Sequence, residues 1–184
     1  MGVDVLRIIS GERRGKKLTT LEGLSVRPTA DRVKEALFNI LQFSVEGRVF
    51  LDLFAGSGQI GLEALSRGAK TAVFVDSSKA SLKVVRQNIA ATGMGERAVV
   101  QEADFAAYLR GAAQRFDIAF LDPPYQAGLL PAALSLTAER MNPGGVIICE
   151  HPTELSLPET AGEFQAQKTY RYGKTALTLY RREA

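Results

Sequence analysis

The chain has 184 residues, 46% of them hydrophobic and 23% charged, with 23 Lys and Arg against 20 Asp and Glu. That is enough for one domain with a sizeable core, too apolar for a disordered chain, and free of any run of ~18 apolar residues that would suggest a membrane span. No apolar leader opens the sequence, Cys149 alone cannot form an internal disulfide, and one Cys with one His is a poor basis for a zinc site. The expected setting is therefore a reducing cytoplasm, with no membrane and no metal. The net charge of +3 is unevenly spread. Residues 1–48 hold nine basic and six acidic side chains, residues 49–164 nine and thirteen, and residues 165–184 five and one. Basic ends flanking an acidic middle hint at an anionic partner held by the ends, although a solvated charged surface gives the same counts.

Along the chain, the segment from Leu6 to Leu18 contains two strand-like pieces about Ser10-Gly11, with Gly15 beyond, which predicts a small hairpin. Arg27-Pro28-Thr29 leads into a helix whose apolar residues Val33, Ala36, Leu37, Ile40 and Leu41 share one face. Thr29 is its expected N-cap, and Asp31 falls in its first turn. From Arg48 onward strands and helices alternate. Strands are expected at 49–54, 71–75, 98–102, 116–121 and 146–149. Helices are expected at about 59–67, 78–91, 105–113 and 128–140, with Gly144-Gly145 as a stop signal. The pattern describes an α/β fold with a parallel sheet covered on both faces. Phe164–Tyr172 and Thr175–Tyr180, joined through Gly173-Lys174, break the rhythm and read as an antiparallel hairpin.

The first apolar strand runs into Leu51-Asp52-Leu53-Phe54-Ala55-Gly56-Ser57-Gly58-Gln59-Ile60-Gly61, a G-x-G-x-x-G loop between strand and helix. Glycines let the backbone turn tightly and approach a ligand, and the helix N-terminus offers free N–H groups. Asp76 closes the second strand 20 residues after Gly56, where a carboxylate reaches ribose hydroxyls. Nicotinamide dinucleotides use the same constellation. Asp52 suits instead a cofactor carrying positive charge, such as S-adenosylmethionine, or it binds backbone N–H groups of its own loop. Asp104-Phe105 closes the third strand, where a carboxylate and an aromatic could address an adenine ring or Asp104 could cap a helix.

The fourth strand runs into Asp122-Pro123-Pro124-Tyr125. Two prolines stiffen a turn at the ligand-binding edge of the sheet, presenting the Asp122 carboxylate, the Pro123 carbonyl and the flat face of Tyr125. The set suits an exocyclic amine on a planar base. Such a nitrogen has its lone pair delocalised into the ring, and two acceptors that take its hydrogens would aim that pair at an electrophile. Positioning can then carry much of the rate, with Tyr125 stacking on a base swung out of its helix. A Pro-Pro turn that merely ends a strand beside a surface Asp is the plainer alternative.

Asp52-x-Phe-x-Gly56-x-Gly58 together with Asp122-Pro-Pro-Tyr125 resembles the class I S-adenosylmethionine-dependent N-methyltransferases. Arg7-Ile-Ile-Ser-Gly-x-x-Arg14-Gly, Arg27-Pro-Thr-x-Asp31-Arg-Val-Lys-Glu-Ala-Leu-Phe-Asn-Ile-Leu41 and Tyr172-Gly-Lys-Thr-x-Leu narrow the resemblance to the RsmD-type bacterial 16S rRNA guanine-N2 methyltransferases, over nearly the whole chain. Ser10 stands where that family commonly has glycine, and the segment after Cys149 is short. The resemblance implies a Rossmann-like, seven-stranded, mostly parallel sheet ending in the antiparallel hairpin. It implies methyl transfer from S-adenosylmethionine to a guanine in the 16S rRNA of the small ribosomal subunit. Asp122, Pro123, Pro124 and Tyr125 then form the target-amine site, and Asp52, Phe54, Gly56, Gly58, Asp76, Asp104 and Phe105 the cofactor site.

On this reading residues 1–45 are a basic hairpin-and-helix appendage for RNA and residues 46–184 are the catalytic domain; the sequence leaves the oligomeric state open, with a monomer as the expectation. Arg13, Arg14, Lys16 and Lys17 cluster on the hairpin, followed by Arg27, Arg32 and Lys34, a set suited to phosphate contacts. Arg27 could equally reach the cofactor or tie the appendage down. His151 and Cys149 are expected to be structural. Three other functions stay open. An adenine-N6 DNA methyltransferase would use the same turn, an NAD-dependent oxidoreductase would leave Asp122–Tyr125 idle, and an RNA-binding module would need no catalysis.

Overall fold

Strands rich in Val, Leu, Ile and Phe, each short and flanked by polar turns, can be buried on both faces only in a sheet with helices on each side. The computed structural model of the protein has that arrangement; it describes residues 5–21, 28–124 and 128–182, with the side chains of residues 28–30 outside the description. In chain order the elements are α1 (Pro28–Leu41), β1 (Val49–Leu53), α2 (Gln59–Ser66), β2 (Thr71–Asp76), α3 (Lys79–Thr92), β3 (Ala98–Glu102), α4 (Phe105–Gly111), β4 (Phe116–Leu121), α5 (Leu130–Ala138), β5 (Met141–Pro152), β6 (Thr160–Ala161), β7 (Phe164–Tyr172) and β8 (Thr175–Arg182). They build one sheet in the order β3-β2-β1-β4-β5-β8-β7-β6. The strands from β3 to β5 are parallel, while β8 runs antiparallel to both β5 and β7. The seven expected strands are present, and the two-residue β6 pairing with β7 makes the sheet eight-stranded. Among the described residues no helix is long and apolar enough to cross a membrane.

The two-residue period of the strands sorts the core. Phe50, Phe74, Ile118, Phe120, Val146 and Ile148 face α1, α2 and α3. Leu51, Leu53, Val73, Val75, Ala119, Leu121 and Ile147 face α4 and α5. The even positions that continue the first face are Asp52, Asp76, Asp122 and Glu150, so four acidic residues gather where the parallel strands end.

Two boundaries differ from the sequence pattern. Gly144-Gly145 does not stop a helix: α5 ends at Ala138, and β5 already begins at Met141. Phe116 pairs with Met141 but Ile118 with Val146, so the extra residues of β5 bulge out around the glycines, and Asn142 Nδ2 donates to Asp117 Oδ1 at 2.9 Å to hold the bulge against β4. At its other end, α1 begins at Pro28, a favoured first-turn residue, which places Thr29 inside the helix instead of at its cap. The short segment between β5 and β6 forms no helix.

The N-terminal segment pairs as expected, through a bridge between Arg7 and Lys17 and backbone hydrogen bonds Ile8 N to Lys16 O (2.9 Å) and Leu18 N to Leu6 O (2.7 Å). Leu6, Ile8 and Leu18 share the core of the α1–α3 face, so the hairpin is packed into the sheet domain. The fastening is polar and centres on Glu63 of α2, which is fully buried. Its carboxylate accepts from Ile9 N at 2.9 Å, Ser10 N at 3.0 Å and Arg67 Nε at 3.0 Å. Lys34 lies inside as well, donating from Nζ to Arg7 O at 2.7 Å, and so leaves the basic surface group. Burial pulls its ammonium downward in pKa, while Glu63 and Asp31 oppose that shift.

Replacing Glu63 by Ala leaves two backbone N–H groups and the Arg67 guanidinium without their buried acceptor, an expected loss of about 3 kcal/mol. Urea unfolding of E63A and wild type measures it; a loss below about 1 kcal/mol would show the staple to be dispensable.

Candidate active site

In an open parallel sheet the crevice forms where neighbouring strands send their chains in opposite directions. Here that point lies between β1, which continues to β2 on one side, and β4, which continues to β5 on the other. The glycine loop leaves β1 and Asp122-Pro123-Pro124 leaves β4, so both face one cleft of about 720 Å³. Of the residues singled out in the sequence, Phe54, Gly56, Asp76, Asp104, Phe105, Asp122, Pro123 and Pro124 line it. Val75, Ser77, Ala103 and Leu129 complete the wall. Tyr125, assigned to hold a base, and Arg27 lie outside the described residues.

The loop is built to bring backbone to the cleft. Phe54 leaves β1 with φ of 66°, a conformation costly for an aromatic residue, and its ring meets Phe105 at a centroid distance of 5.3 Å. The pair forms an apolar wall. Gly58 turns into α2 with φ of 79°, and Gly61 lets α2 close on β2, since a Cβ there would stand 2.4 Å from the Phe74 ring. Gly56 N donates to Asp76 Oδ2 at 3.0 Å, while Asp76 Oδ1 accepts from Ser78 N at 2.8 Å. Asp76 thus joins the loops after β1 and β2 and still lines the cleft. Asp104 is the cap of α4, its Oδ2 accepting from Ala106 N at 3.1 Å, and the residue borders the cleft.

Asp52 sits beneath the loop, only 2% exposed, and is not among the residues that line the cleft; neither is Gly58. Its Oδ2 accepts from Gly61 N at 2.9 Å. Burial pushes this carboxyl up to about 8; the Gly61 hydrogen bond opposes the shift and the nearby Asp76 adds to it. Asp122, half-buried, is hydrogen-bonded to Glu150 of β5. Its carboxyl is held well above the usual range by burial, then by Glu150, then by Asp52. Glu150 was not singled out by the sequence pattern; its only signal is an acid at the end of an apolar strand. Asn88 was also missed. Buried on α3, it donates from Nδ2 to Ser57 O and Thr19 O, each at 2.9 Å, and accepts from Thr19 N at 2.7 Å. One amide thereby couples the glycine loop to the chain leaving the N-terminal hairpin.

The remaining singletons are structural. His151 is buried, with Nδ1 2.8 Å from the Pro152 carbonyl and Nε2 2.7 Å from Thr178 Oγ1. A carbonyl only accepts, so Nδ1 carries the proton and Nε2 accepts from the hydroxyl. Cys149 is fully buried, and its thiol is pushed up by desolvation. Of the basic residues, Arg14, Lys16, Lys17 and Arg32 are exposed. Arg13 is partly buried and donates from Nε to Thr92 O at 2.7 Å, capping the end of α3.

This donor set fits S-adenosylmethionine. Asp76 offers acceptors for ribose hydroxyls, Phe54 and Phe105 an apolar surface for a purine, and the acidic edge a field for a cation. The cleft has the size of a small-ligand site. Among the described residues no cluster of His, Cys, Asp and Glu is arranged for a metal ion.

Asp52 also makes a prediction independent of any ligand. Its folded pKa is raised, so its stabilising share is present below the ordinary carboxylate range and is lost as pH rises through about 8. Asp52→Asn keeps an acceptor for Gly61 N but cannot ionise. Melting temperatures across pH 5 to 9 should fall more steeply for wild type than for D52N; parallel curves would refute the buried-acid assignment.

Residues 6–181 match the family described as Conserved hypothetical protein 95. The chain is 35% identical over 185 residues to Ribosomal RNA small subunit methyltransferase D of Escherichia coli, spanning 100% of this chain and 93% of that protein. The solved structure of Escherichia coli yhhF matches with a TM-score of 0.86 at 36% identity, covering 97% of this chain and 98% of that one. The Thermus thermophilus 16S rRNA N2 G1207 methyltransferase RsmC, solved with AdoMet and guanosine, matches with a TM-score of 0.72 at 25% identity over 88% of this chain and 45% of its own. With a family match across nearly its whole length and a full-length relative of this identity, the chain belongs to the RsmD family and has the class I S-adenosylmethionine-dependent methyltransferase fold.

Proposed function

We propose that this protein transfers a methyl group from S-adenosylmethionine to the exocyclic N2 of a guanine in the 16S rRNA of the small ribosomal subunit. The observation that carries the reading is the meeting, across one cleft, of the glycine loop with Asp76 and the Asp122-Pro123 edge. RsmC, on the same fold, is solved with AdoMet and guanosine, a methyl donor and a nucleoside carrying the base proposed as acceptor. The working unit is a single chain acting in the cytoplasm.

When bound, S-adenosylmethionine supplies an electrophilic methyl group on a sulfonium and leaves as a neutral thioether. The protein's part is mainly positional. Asp76 and the Gly56 backbone hold the ribose side of the cleft, and Phe54 and Phe105 take the purine face. The Asp122 carboxylate and the Pro123 carbonyl each accept one hydrogen of the target amine, which frees its lone pair from the ring. Tyr125 stacks on the base. Residues 1–45 bring the RNA, with Arg14, Lys16, Lys17 and Arg32 on phosphates; Arg13 serves the hairpin's attachment more than the RNA.

The test is methylation of small subunits from a strain lacking the modification, with labelled cofactor and nucleoside analysis of the product. N2-methylguanine is expected; N6-methyladenine, or no product from folded protein that binds S-adenosylhomocysteine, would overturn the reading. Asp122→Ala and Tyr125→Ala should each lower kcat by about 10²-fold or more with cofactor affinity little changed. The RNA assignment has its own measurement. Replacing Arg14, Lys16 and Lys17 together by Ala should reduce the slope of log K against log salt for subunit binding by about two to three, and an unchanged slope would remove the hairpin from the RNA interface.

A further inference from the structure

Asp122 and Glu150 stand side by side by construction. Leu121 pairs with Cys149 in the parallel ladder, so the next residue along each strand is Asp122 on one and Glu150 on the other. Both continue the face occupied by Phe120 and Ile148, and their side chains are hydrogen-bonded to each other. Two ionised carboxylates offer only acceptors, so this contact needs a proton between them. Asp122 lines the cleft, whereas Glu150 is not among the lining residues. The charged group facing the pair from β1 is Asp52, another acid, with Asp76 beyond it. His151, next along β5, turns to Thr178 of β8. No ion pair formed among the described residues includes either member.

We propose that Glu150 is a positioning residue: it shares one proton with Asp122, which ties one Asp122 oxygen back to β5 and leaves the other as an acceptor toward the cleft. The inference rests on the reading of Asp122 as acceptor for the target amine, and extends it by a residue that never touches substrate. The shared proton halves the charge of the pair and fixes the rotation of a carboxylate that prolines hold only at its backbone. Burial, then Glu150, raises Asp122, and burial raises Glu150 against the lowering effect of its contact with Asp122, so the pair favours keeping a proton, chiefly on the Asp122 side. An amide at position 150 would offer Asp122 a permanent N–H donor in place of the shared proton.

The experiment measures kcat, KM for subunits and S-adenosylhomocysteine affinity for wild type, E150A, E150Q and D122A, with kcat followed from pH 6 to 10. E150A should lower kcat about 30-fold or more, with KM and cofactor affinity within about threefold. E150Q should recover at least about tenfold of that loss. Wild-type kcat should decline at alkaline pH as the shared proton leaves, and E150Q should lack that limb because its N–H cannot leave. E150A with wild-type kcat, or E150Q no more active than E150A and with the alkaline limb intact, would overturn the proposal. Because E150Q is nearly isosteric, its pH profile decides the matter even if E150A fails to fold. If D122A alone keeps full activity, the role given to Asp122 under the proposed function fails instead.

Discussion

Four acids at the ends of four adjacent parallel strands are the constraint around which the site is organised. Strand periodicity places Asp76, Asp52, Asp122 and Glu150 on the face of the sheet that α2 covers, at the edge where parallel strands leave room for a ligand. Acids crowded in a poorly solvated place must be satisfied by N–H groups, by protons or by a cation. All three solutions are in use or on offer. Asp76 takes Gly56 N and Ser78 N, Asp52 takes Gly61 N, and Asp122 and Glu150 take one another. The glycine loop is therefore held as much by carboxylates beneath it as by its own turns.

The same device fastens the N-terminal hairpin. Glu63 on α2 is buried and answered by two backbone N–H groups and Arg67, and the hairpin it holds carries the exposed Arg14, Lys16 and Lys17. The helix that anchors the hairpin is the one whose first turn closes on the glycine loop. Asn88 adds a second tie, reaching Ser57 in the loop and Thr19 beyond the hairpin with one side chain. RNA held by the hairpin and cofactor held by the loop would thus bear on segments tied to the same two helices, α2 and α3.

Much of this was legible in the sequence. The alternation of short apolar runs with amphipathic stretches located β1 to β4 and α2 to α5 to within a few residues, because a parallel sheet buries its strands completely. The cleft was legible because glycines before a helix and prolines after a strand have backbone consequences that do not depend on distant contacts. What stayed hidden depends on such contacts. Gly144-Gly145 looks like a helix stop locally, and only the pairing of β5 with β4 turns it into a bulge. Lys34 reads as a surface cation until the hairpin folds over it. Arg13 reads as a phosphate ligand until α3 presents the Thr92 carbonyl to it. Glu150 is one acid among many until β5 sets it beside Asp122.

The acidic edge also bears on turnover. A field from Asp76 and the Asp122–Glu150 pair favours a ligand that carries positive charge, and the reaction removes one such charge when sulfonium becomes thioether. Interactions that depend on that charge are strong with the incoming cofactor and weaker with the product, which eases release. The cost is a ground state held partly by the same attraction that the transition state must give up. A single buried proton between Asp122 and Glu150 moderates it, since two full charges beside the reacting centre would hold the sulfonium more tightly while leaving the target amine's acceptor less well fixed. On this view the pair sets a balance between cofactor attraction and amine orientation, and the glycine loop, the Pro-Pro turn and the hairpin deliver their ligands to it.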